Sequence, residues 1–349
     1  MKSMKTAFLT GLRELEIREV ARPQIKRDNQ VLLRMQSVGI CGSDIHYYTT
    51  GRIGSQVVQY PFPVGHEGAA TVEQVGTAVH RVKPGDRVAV EPAVPCHNCD
   101  QCRAGRENTC RNLLFLGCPG QIAGCLSEFI VMPEECCLPI PDHLDFDQAA
   151  LSEPLAIGVY AVKRSIPMPQ ARVGILGLGP IGLSVLLAAR AAGATAVYGS
   201  DILDYRCRIA TEQGASWAGN PEKVDLVKAV EQREPELLDV VFECCGQQEA
   251  LNQALELLKP GGKLMIVGIP EFDRYSFAAD LARRREVCLQ HVRRQNHCAE
   301  ETIAMIAEGR LAPGFMATHH YRLQDCEKAF RQVENYASLV VKAMIDFSA

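Results

Sequence analysis

Short runs of alternating apolar and polar residues, separated by Gly and Pro, fill the first part of the chain. A period of two puts one face of a strand on a core and the other toward water. Residues 31–38 predict a strand with one mostly apolar face, and residues 70–76 alternate more cleanly. Lys83-Pro84-Gly85-Asp86 predicts a turn, with a strand over 87–90 behind it. Many short strands punctuated this way predict a barrel-like or sandwich-like module.

The pattern changes near Asp145. Either Asp145 or Asp147 can cap a helix running toward Tyr160. Residues 172–176 are a short continuous apolar run, the mark of a buried strand. Strands over 196–201, 238–243 and 263–267 then alternate with helices over 180–192, 204–213 and 247–258. Gly193 and Gly214 close the first two helices, and Pro260-Gly261-Gly262 predicts a turn. That rhythm builds a parallel sheet from βαβ units. A helix over 299–309 leads into a mixed tail. The fold class is therefore α/β, with the α/β unit inserted between two parts of a β-rich module.

Composition narrows the partners. The chain has 349 residues, 47% of them hydrophobic, enough for two domains. Its formal net charge is −4, and basic residues are dispersed except at 283–285 and 293–294. Nucleic acid and anionic membrane are excluded as expected partners. No stretch is long and apolar enough to span a bilayer. An apolar run from Thr6 to Leu12 ends at Arg13, which is unlike a secretory signal. The expected compartment is a reducing cytoplasm.

Three constellations carry chemistry. Cys96, Cys99, Cys102 and Cys110 stand as C-x2-C-x2-C-x7-C, a spacing that suits four thiolates around one tetrahedral zinc. The chain has 15 Cys, an odd number that rules out complete pairing within one chain. A second set, Cys41 with His66 and Glu67, offers mixed ligands, and a zinc that binds substrate takes three protein groups and keeps one place open. From the residues alone this trio is as readily structural as catalytic. Glu153, followed by Pro154 in an apolar segment, needs a partner if buried; a metal or its water would serve, as would simple hydration. Third, Gly177-Leu178-Gly179-Pro180-Ile181-Gly182 is G-x-G-x-x-G between a predicted strand and helix, with Asp201 ending the next strand. Gly177 permits the tight turn, Gly179 lets backbone approach a pyrophosphate, and Gly182 allows close helix packing. Asp201 would accept hydrogen bonds from a ribose and repel a 2′-phosphate, favouring NAD over NADP, with Arg206 near enough to moderate that preference. Cys136-Cys137 and Cys244-Cys245 read as small buried hydrophobes, and Arg283-Arg284-Arg285 as a solvated turn.

Together, residues 39–47, 51–54, 65–67, 83–88, 153–155 and 177–182 resemble the zinc-dependent medium-chain dehydrogenases, most of all their polyol (sorbitol) dehydrogenase branch. The resemblance runs in family order over nearly the full length. It implies a GroES-like β-rich catalytic domain over 1–156 and 296–349, and a Rossmann doubly wound parallel sheet domain binding NAD over 157–295. It further implies two zinc ions per chain, a catalytic one on Cys41, His66 and Glu67 and a structural one on Cys96, Cys99, Cys102 and Cys110. Glu153 would sit beside the catalytic zinc, through its water or the substrate. Ile181, Asp201 and Arg206 would contact NAD, with Val267, Gly268 and Ile269 facing the nicotinamide and His291, Val292 and Arg293 continuing that wall. Tyr47, Arg293 and Arg294 fall where the family contacts polyol hydroxyls. Ser43, two residues from a zinc ligand, can hydrogen-bond the reacting oxygen, and His46 is the next stop for its proton. The implied reaction interconverts a polyol and a ketose, in a cytoplasmic homotetramer. Two departures leave the substrate open. The family's aromatic-Arg-aromatic stretch is here Val292-Arg293-Arg294, and residues 115–119 differ from the animal counterpart, so another stereochemistry or an acidic or phosphorylated polyol fits as well as sorbitol. Alternatives are a threonine or butanediol dehydrogenase, and a silent nucleotide-binding structural protein.

Overall fold

In the computed structural model, which describes residues 2–347, strand Gln30–Gly39 is the axis of a seven-stranded sheet. It pairs antiparallel with Glu67–Val75, Phe129–Pro133 and Lys342–Asp346. Val31, Leu33 and Met35 alternate onto the buried face, as the sequence period requires. They join Leu9, Leu126, Met132 and Phe330 in one core, where the Phe330 ring meets Tyr48 edge-on at 5.3 Å between centroids. This sheet belongs to a unit made of residues up to 153 and from 299 onward; residues 154–298 form a second unit.

Register decides which side chains meet where the first sheet ends. Gly39 lies opposite both Glu67 and Met344, so Glu67–Val75 and Lys342–Asp346 flank Gln30–Gly39 on either side and meet across its end. Past Gly39 the chain turns at Ile40 and Cys41 into helix Gly42–Thr50. The longer helix Phe146–Arg164 is capped by Asp145, whose Oδ1 accepts from Gln148 N at 2.7 Å. Asp147 serves otherwise: it accepts from Ser37 Oγ at 2.5 Å and lies 2.6 Å from His320 Nε2, tying the helix to the sheet. Pro154 lies inside this helix, just past Glu153.

The second unit is a six-stranded parallel sheet ordered Trp217–Gly219, Ala196–Ser200, Arg172–Leu176, Leu238–Glu243, Leu258–Ile266, Cys288–His291. The alternation over 172–266 is as expected, but four short elements carried too little periodic signal to be read: strand Trp217–Gly219, helices Leu226–Glu231 and Ala279–Arg284, and edge strand Cys288–His291. The expected turn at Pro260-Gly261-Gly262 falls inside one irregular strand, Leu258–Ile266, with Gly261 N donating to Arg285 O at 2.7 Å. Arg283 and Arg284 are exposed as expected but end helix Ala279–Arg284, and Arg285, in the turn after it, is half-buried. Its guanidinium donates to the carbonyls of Leu255, Glu256 and Leu258, closing helix Gln248–Leu257. Among the described residues no helix is long and apolar enough to cross a membrane.

Backbone-to-backbone contact holds the loop that carries His66. Gly124, Cys125 and Leu126 donate to the carbonyls of Pro63, Gly65 and Val64 at 2.9–3.1 Å. A Cβ on Gly124 would come within 2.2 Å of the Val64 carbonyl, so a larger residue must push residues 63–66 aside. Gly124→Ala is expected to destabilise the first unit by about 1–3 kcal/mol through overpacking. Metal should be lost from the Cys41, His66 and Glu67 set while the four-cysteine set keeps its own. Thermal unfolding and metal counting per chain check both.

Candidate functional site

Cys41 is the residue before helix Gly42–Thr50, and that helix needs its first N–H groups satisfied. Asp44, three residues on, turns back so that its Oδ2 accepts from Cys41 N at 3.0 Å. Its other oxygen stands 3.3 Å from His66 Nδ1. Asp44 is fully buried, so one carboxylate fixes both the thiol-bearing turn and the imidazole. His66 and Glu67 enter from the loop that leads into strand Glu67–Val75. The donor atoms of Cys41, His66 and Glu67 all lie within 4.8 Å of one another.

Behind Glu67 sits Lys342, which the sequence reading missed. Both side chains are about 1% exposed. Lys342 Nζ donates to Glu67 Oε1 at 2.8 Å, to Oε2 at 2.7 Å and to Ile40 O at 3.1 Å. Each carboxylate oxygen carries two lone pairs, so both can accept from the ammonium and one still offers electrons to an ion. Burial alone would lower the Lys342 pKa, yet Glu67 and Cys41 outweigh it and hold the lysine above its usual value. His66 behaves alike: burial works against its protonation, but Asp44 and Cys41 carry its pKa well above the ordinary range. Surroundings that favour a proton on the ring favour a cation beside it.

Glu153 completes the negative side. Burial pushes its carboxyl up to about 7, with His66 opposing and Glu67 adding to the rise. Its Oε2 is buried without a hydrogen-bond partner among the described residues. A soft thiol, an imidazole, a carboxylate and an orphaned second carboxylate fit a zinc ion with an open position.

Cys96, Cys99, Cys102 and Cys110 also converge within 4.8 Å. Four sulfurs at about 2.3 Å from one ion stand roughly 3.8 Å apart. Here Cys99 Sγ is 3.5 Å from Cys102 Sγ and 3.9 Å from Cys110 Sγ. The N–H groups of Cys96 and Asn112 point at Cys110 Sγ from 3.3 and 3.4 Å. The backbone N–H of Asn98 brings Cys96 down to about 6, whereas burial and the neighbouring thiols push Cys102 up to about 12. Four sulfurs this close offer the donor set of a tetrahedral zinc with no open position.

In the second unit, Gly179 precedes helix Pro180–Ala191 without a side-chain cap, which leaves the helix N-terminus open to an anion. Gly177 has φ +94° and donates from N to Ser200 O at 2.8 Å. A Cβ on Gly182 would fall 1.8 Å from Gly177 O, so only glycine lets helix and loop meet. Asp201 is buried; its Oδ2 accepts from Leu178 N at 2.8 Å and its Oδ1 from Leu203 N at 3.0 Å. Arg206 Nη1 lies 3.5 Å from Asp201 Oδ2, and 3.4 Å from where a Gly179 Cβ would stand. Ile181 is in the first turn of the helix.

The remaining predicted residues are placed as follows. Ser43, His46 and Tyr47 ride on helix Gly42–Thr50. Tyr47 is buried, its hydroxyl 3.4 Å from Gln56 Oε1 and 3.6 Å from Cys118 Sγ. Val267, Gly268 and Ile269 follow strand Leu258–Ile266, with Ile269 exposed. His291 ends the edge strand Cys288–His291, and Val292, Arg293 and Arg294 follow it. Of the cysteine pairs, Cys136 and Cys137 are buried as expected, but Cys245 is exposed, because strand Leu238–Glu243 has already ended before it.

Comparison with known proteins agrees with this geometry. Residues 27–142 match the alcohol dehydrogenase GroES-like domain, and residues 180–308 match the zinc-binding dehydrogenase model. Sorbitol dehydrogenase of Bacillus subtilis is 34% identical over 345 residues, covering 99% of this chain and 97% of that protein. L-idonate 5-dehydrogenase of Vitis vinifera is 33% identical over 331 residues, covering 93% and 90%. A solved Sinorhizobium meliloti structure described as a zinc-binding dehydrogenase, bound to NADP, superposes with a TM-score of 0.91 at 29% identity, covering 99% of this chain and 100% of that one. Zinc and a nicotinamide cofactor are the groups this architecture serves. The chain belongs to the zinc-dependent medium-chain dehydrogenase family, in its polyol branch.

Proposed function

We propose that the protein is an NAD-linked zinc dehydrogenase that interconverts a secondary hydroxyl of a polyol with the ketone of a ketose. The observation that carries this reading is the convergence of Cys41, His66 and Glu67 within 4.8 Å, backed by the orphaned Glu153 oxygen. Cys41, His66 and Glu67 would hold the catalytic zinc, with Asp44 at one ring nitrogen leaving the other to the ion. Cys96, Cys99, Cys102 and Cys110 would hold a second, structural zinc. When bound, the catalytic zinc supplies Lewis acidity to a substrate hydroxyl and the nicotinamide supplies a hydride acceptor.

The chain's own residues do the rest. Ser43 Oγ accepts a hydrogen bond from the reacting hydroxyl and, as that proton arrives, passes its own proton on to His46, which releases it outward. Glu153 Oε2 accepts a hydrogen bond from a neighbouring hydroxyl or a water, and Tyr47, Arg293 and Arg294 orient the others. Gly177, Gly179 and Gly182 seat the pyrophosphate, with Ile181 beside it. Asp201 and Arg206 receive the adenosine ribose, and a carboxylate at that place favours NAD because it repels a 2′-phosphate. Val267, Gly268, Ile269, His291, Val292 and Arg293 line the nicotinamide side. The family resemblance is the ground for a cytoplasmic homotetramer. Arg294, in place of an aromatic residue, supports an acidic or phosphorylated polyol as the second reading, and the likeness to an idonate dehydrogenase points the same way. Initial rates over neutral, acidic and phosphorylated polyols, threonine and butanediol, each with NAD and NADP, separate these readings; no turnover with any of them would defeat the assignment.

Glu67→Ala is expected to abolish turnover and lower zinc content at one site only, as metal counting would register. Lys342→Met leaves Glu67 buried without its ammonium. In metal-free protein that is expected to cost about 3–5 kcal/mol, with much of the loss recovered on adding zinc, because the ion then compensates Glu67. Equal destabilisation with and without zinc would argue against Glu67 as a ligand. Asp201→Ser should weaken NAD by about tenfold and narrow the margin against NADP, as read from KM for both cofactors.

A further inference from the structure

Glu243 ends strand Leu238–Glu243 in the middle of the parallel sheet and is 0% exposed. Its side-chain Oε1 accepts from Cys245 N at 2.7 Å and Gly246 N at 2.5 Å. Its main-chain carbonyl accepts from Val267 N at 2.8 Å and Gly268 N at 3.0 Å. One residue thus satisfies four N–H groups from two loops that leave neighbouring strands. Those loops touch through backbone. A Cβ on Gly268 would lie 2.3 Å from Gly246 N, and one on Gly246 would lie 2.4 Å from Ile269 O. The first loop also abuts the glycine fingerprint, for a Cβ on Gly177 would lie 2.7 Å from Cys245 Cβ, and Cys244 N donates to Leu176 O at 2.7 Å.

These three loops lie at the carboxyl ends of adjacent strands, where open α/β sheets receive their ligands. A buried carboxylate is costly, and an apolar side chain would fill the space more cheaply. No ammonium or guanidinium group pairs with Glu243 among the described ion pairs, and its Oε2 has no hydrogen-bond partner among the described residues. What the carboxylate gains is two charge-assisted bonds to loop N–H groups, stronger than neutral ones.

We propose that Glu243 is a positioning residue for the nicotinamide cofactor: its carboxylate fixes loop 244–246 in the shape that packs by main chain against 267–269, so that their backbone presents a rigid wall to the dinucleotide. The inference rests on reading residues 177–182 as the cofactor loop. Glu243 touches no reacting atom and acts through the N–H groups it holds.

The test is titration of the zinc-loaded enzyme with NADH, followed by fluorescence, together with amide exchange by mass spectrometry. Glu243→Ala is expected to weaken NADH by about tenfold or more, since two hydrogen bonds to a charged group are lost. KM for the cofactor should rise with it, while kcat at saturating cofactor and zinc per chain stay near wild type. Exchange should speed up at Cys245 and Gly246, whose N–H groups the carboxylate holds, and not in the rest of the sheet. Glu243→Gln, whose amide oxygen can accept both bonds, should restore NADH binding to within about threefold. Wild-type affinity in Glu243→Ala would overturn the proposal, as would a Glu243→Gln protein no better than Glu243→Ala. If Glu243→Ala does not fold, Glu243→Asp decides by the same criterion, because its carboxylate is one methylene too short to reach both N–H groups. Failure of the wild-type enzyme to bind either NADH or NADPH would overturn the cofactor reading itself, a result distinct from any loss confined to the variants.

Discussion

Negative charge cannot be buried in quantity without positive charge beside it, and the first unit buries a great deal. Asp44, Glu67 and Glu153 crowd around His66 and Cys41, with Lys342 the buried ammonium among them. In a low dielectric such a cluster is held only where each carboxylate finds a cation or several N–H donors. Asp44 has the Cys41 N–H and the imidazole, and Glu67 has the lysine. Glu153 leaves Oε2 without a partner among the described residues, and burial pushes its carboxyl up, with His66 opposing. A divalent ion among these groups would settle the remaining imbalance, so the electrostatics of the pocket and its proposed chemistry have one origin.

Both units solve a second problem in the same way. Loops that carry functional groups must be rigid although they lack a regular hydrogen-bond ladder. Here they lean on one another through main chain. Gly124 lies against Val64 beneath the His66 loop, Gly182 against Gly177 at the phosphate loop, and Gly268 against Gly246 across the cofactor wall. Buried carboxylates then satisfy the N–H groups such contacts leave over: Asp44 at Cys41, Asp201 at Leu178 and Leu203, Glu243 at Cys245 and Gly246. Charged acceptors are the strong form of this bond, and each of the three stands directly beneath a proposed binding group.

What could be read from the chain alone follows from the range of each interaction. The four cysteines and the glycine fingerprint are local patterns, and the parallel sheet is a rhythm of local periods, so all were legible. Cys41 with His66 and Glu67 required a resemblance to known proteins, because nothing in the intervening residues says that they meet. Lys342 was missed since its partner lies 275 positions away. Its one signal was a single lysine in the apolar run 340–345, a placement that demands a counter-charge. Asp44 lies within 39–47, and its only local signal is its spacing from Cys41, which is that of a cap. The short elements 217–219, 226–231, 279–284 and 288–291 are too brief for periodicity to speak, and Pro260-Gly261-Gly262 keeps its turn character as an unpaired irregularity between Leu258 and Lys263 of one strand.

The long separation of Glu67 from Lys342 has a consequence for how the protein comes into being. A ribosome adding roughly 5–20 residues per second exposes the glutamate some tens of seconds before the lysine, and makes the whole nucleotide-binding unit in between. Until the final strand arrives the catalytic half lacks both its sheet neighbour and its internal counter-ion. Glu67 therefore stays without its ammonium until the end of synthesis, and the buried cluster of acids can close only when the whole chain has been made.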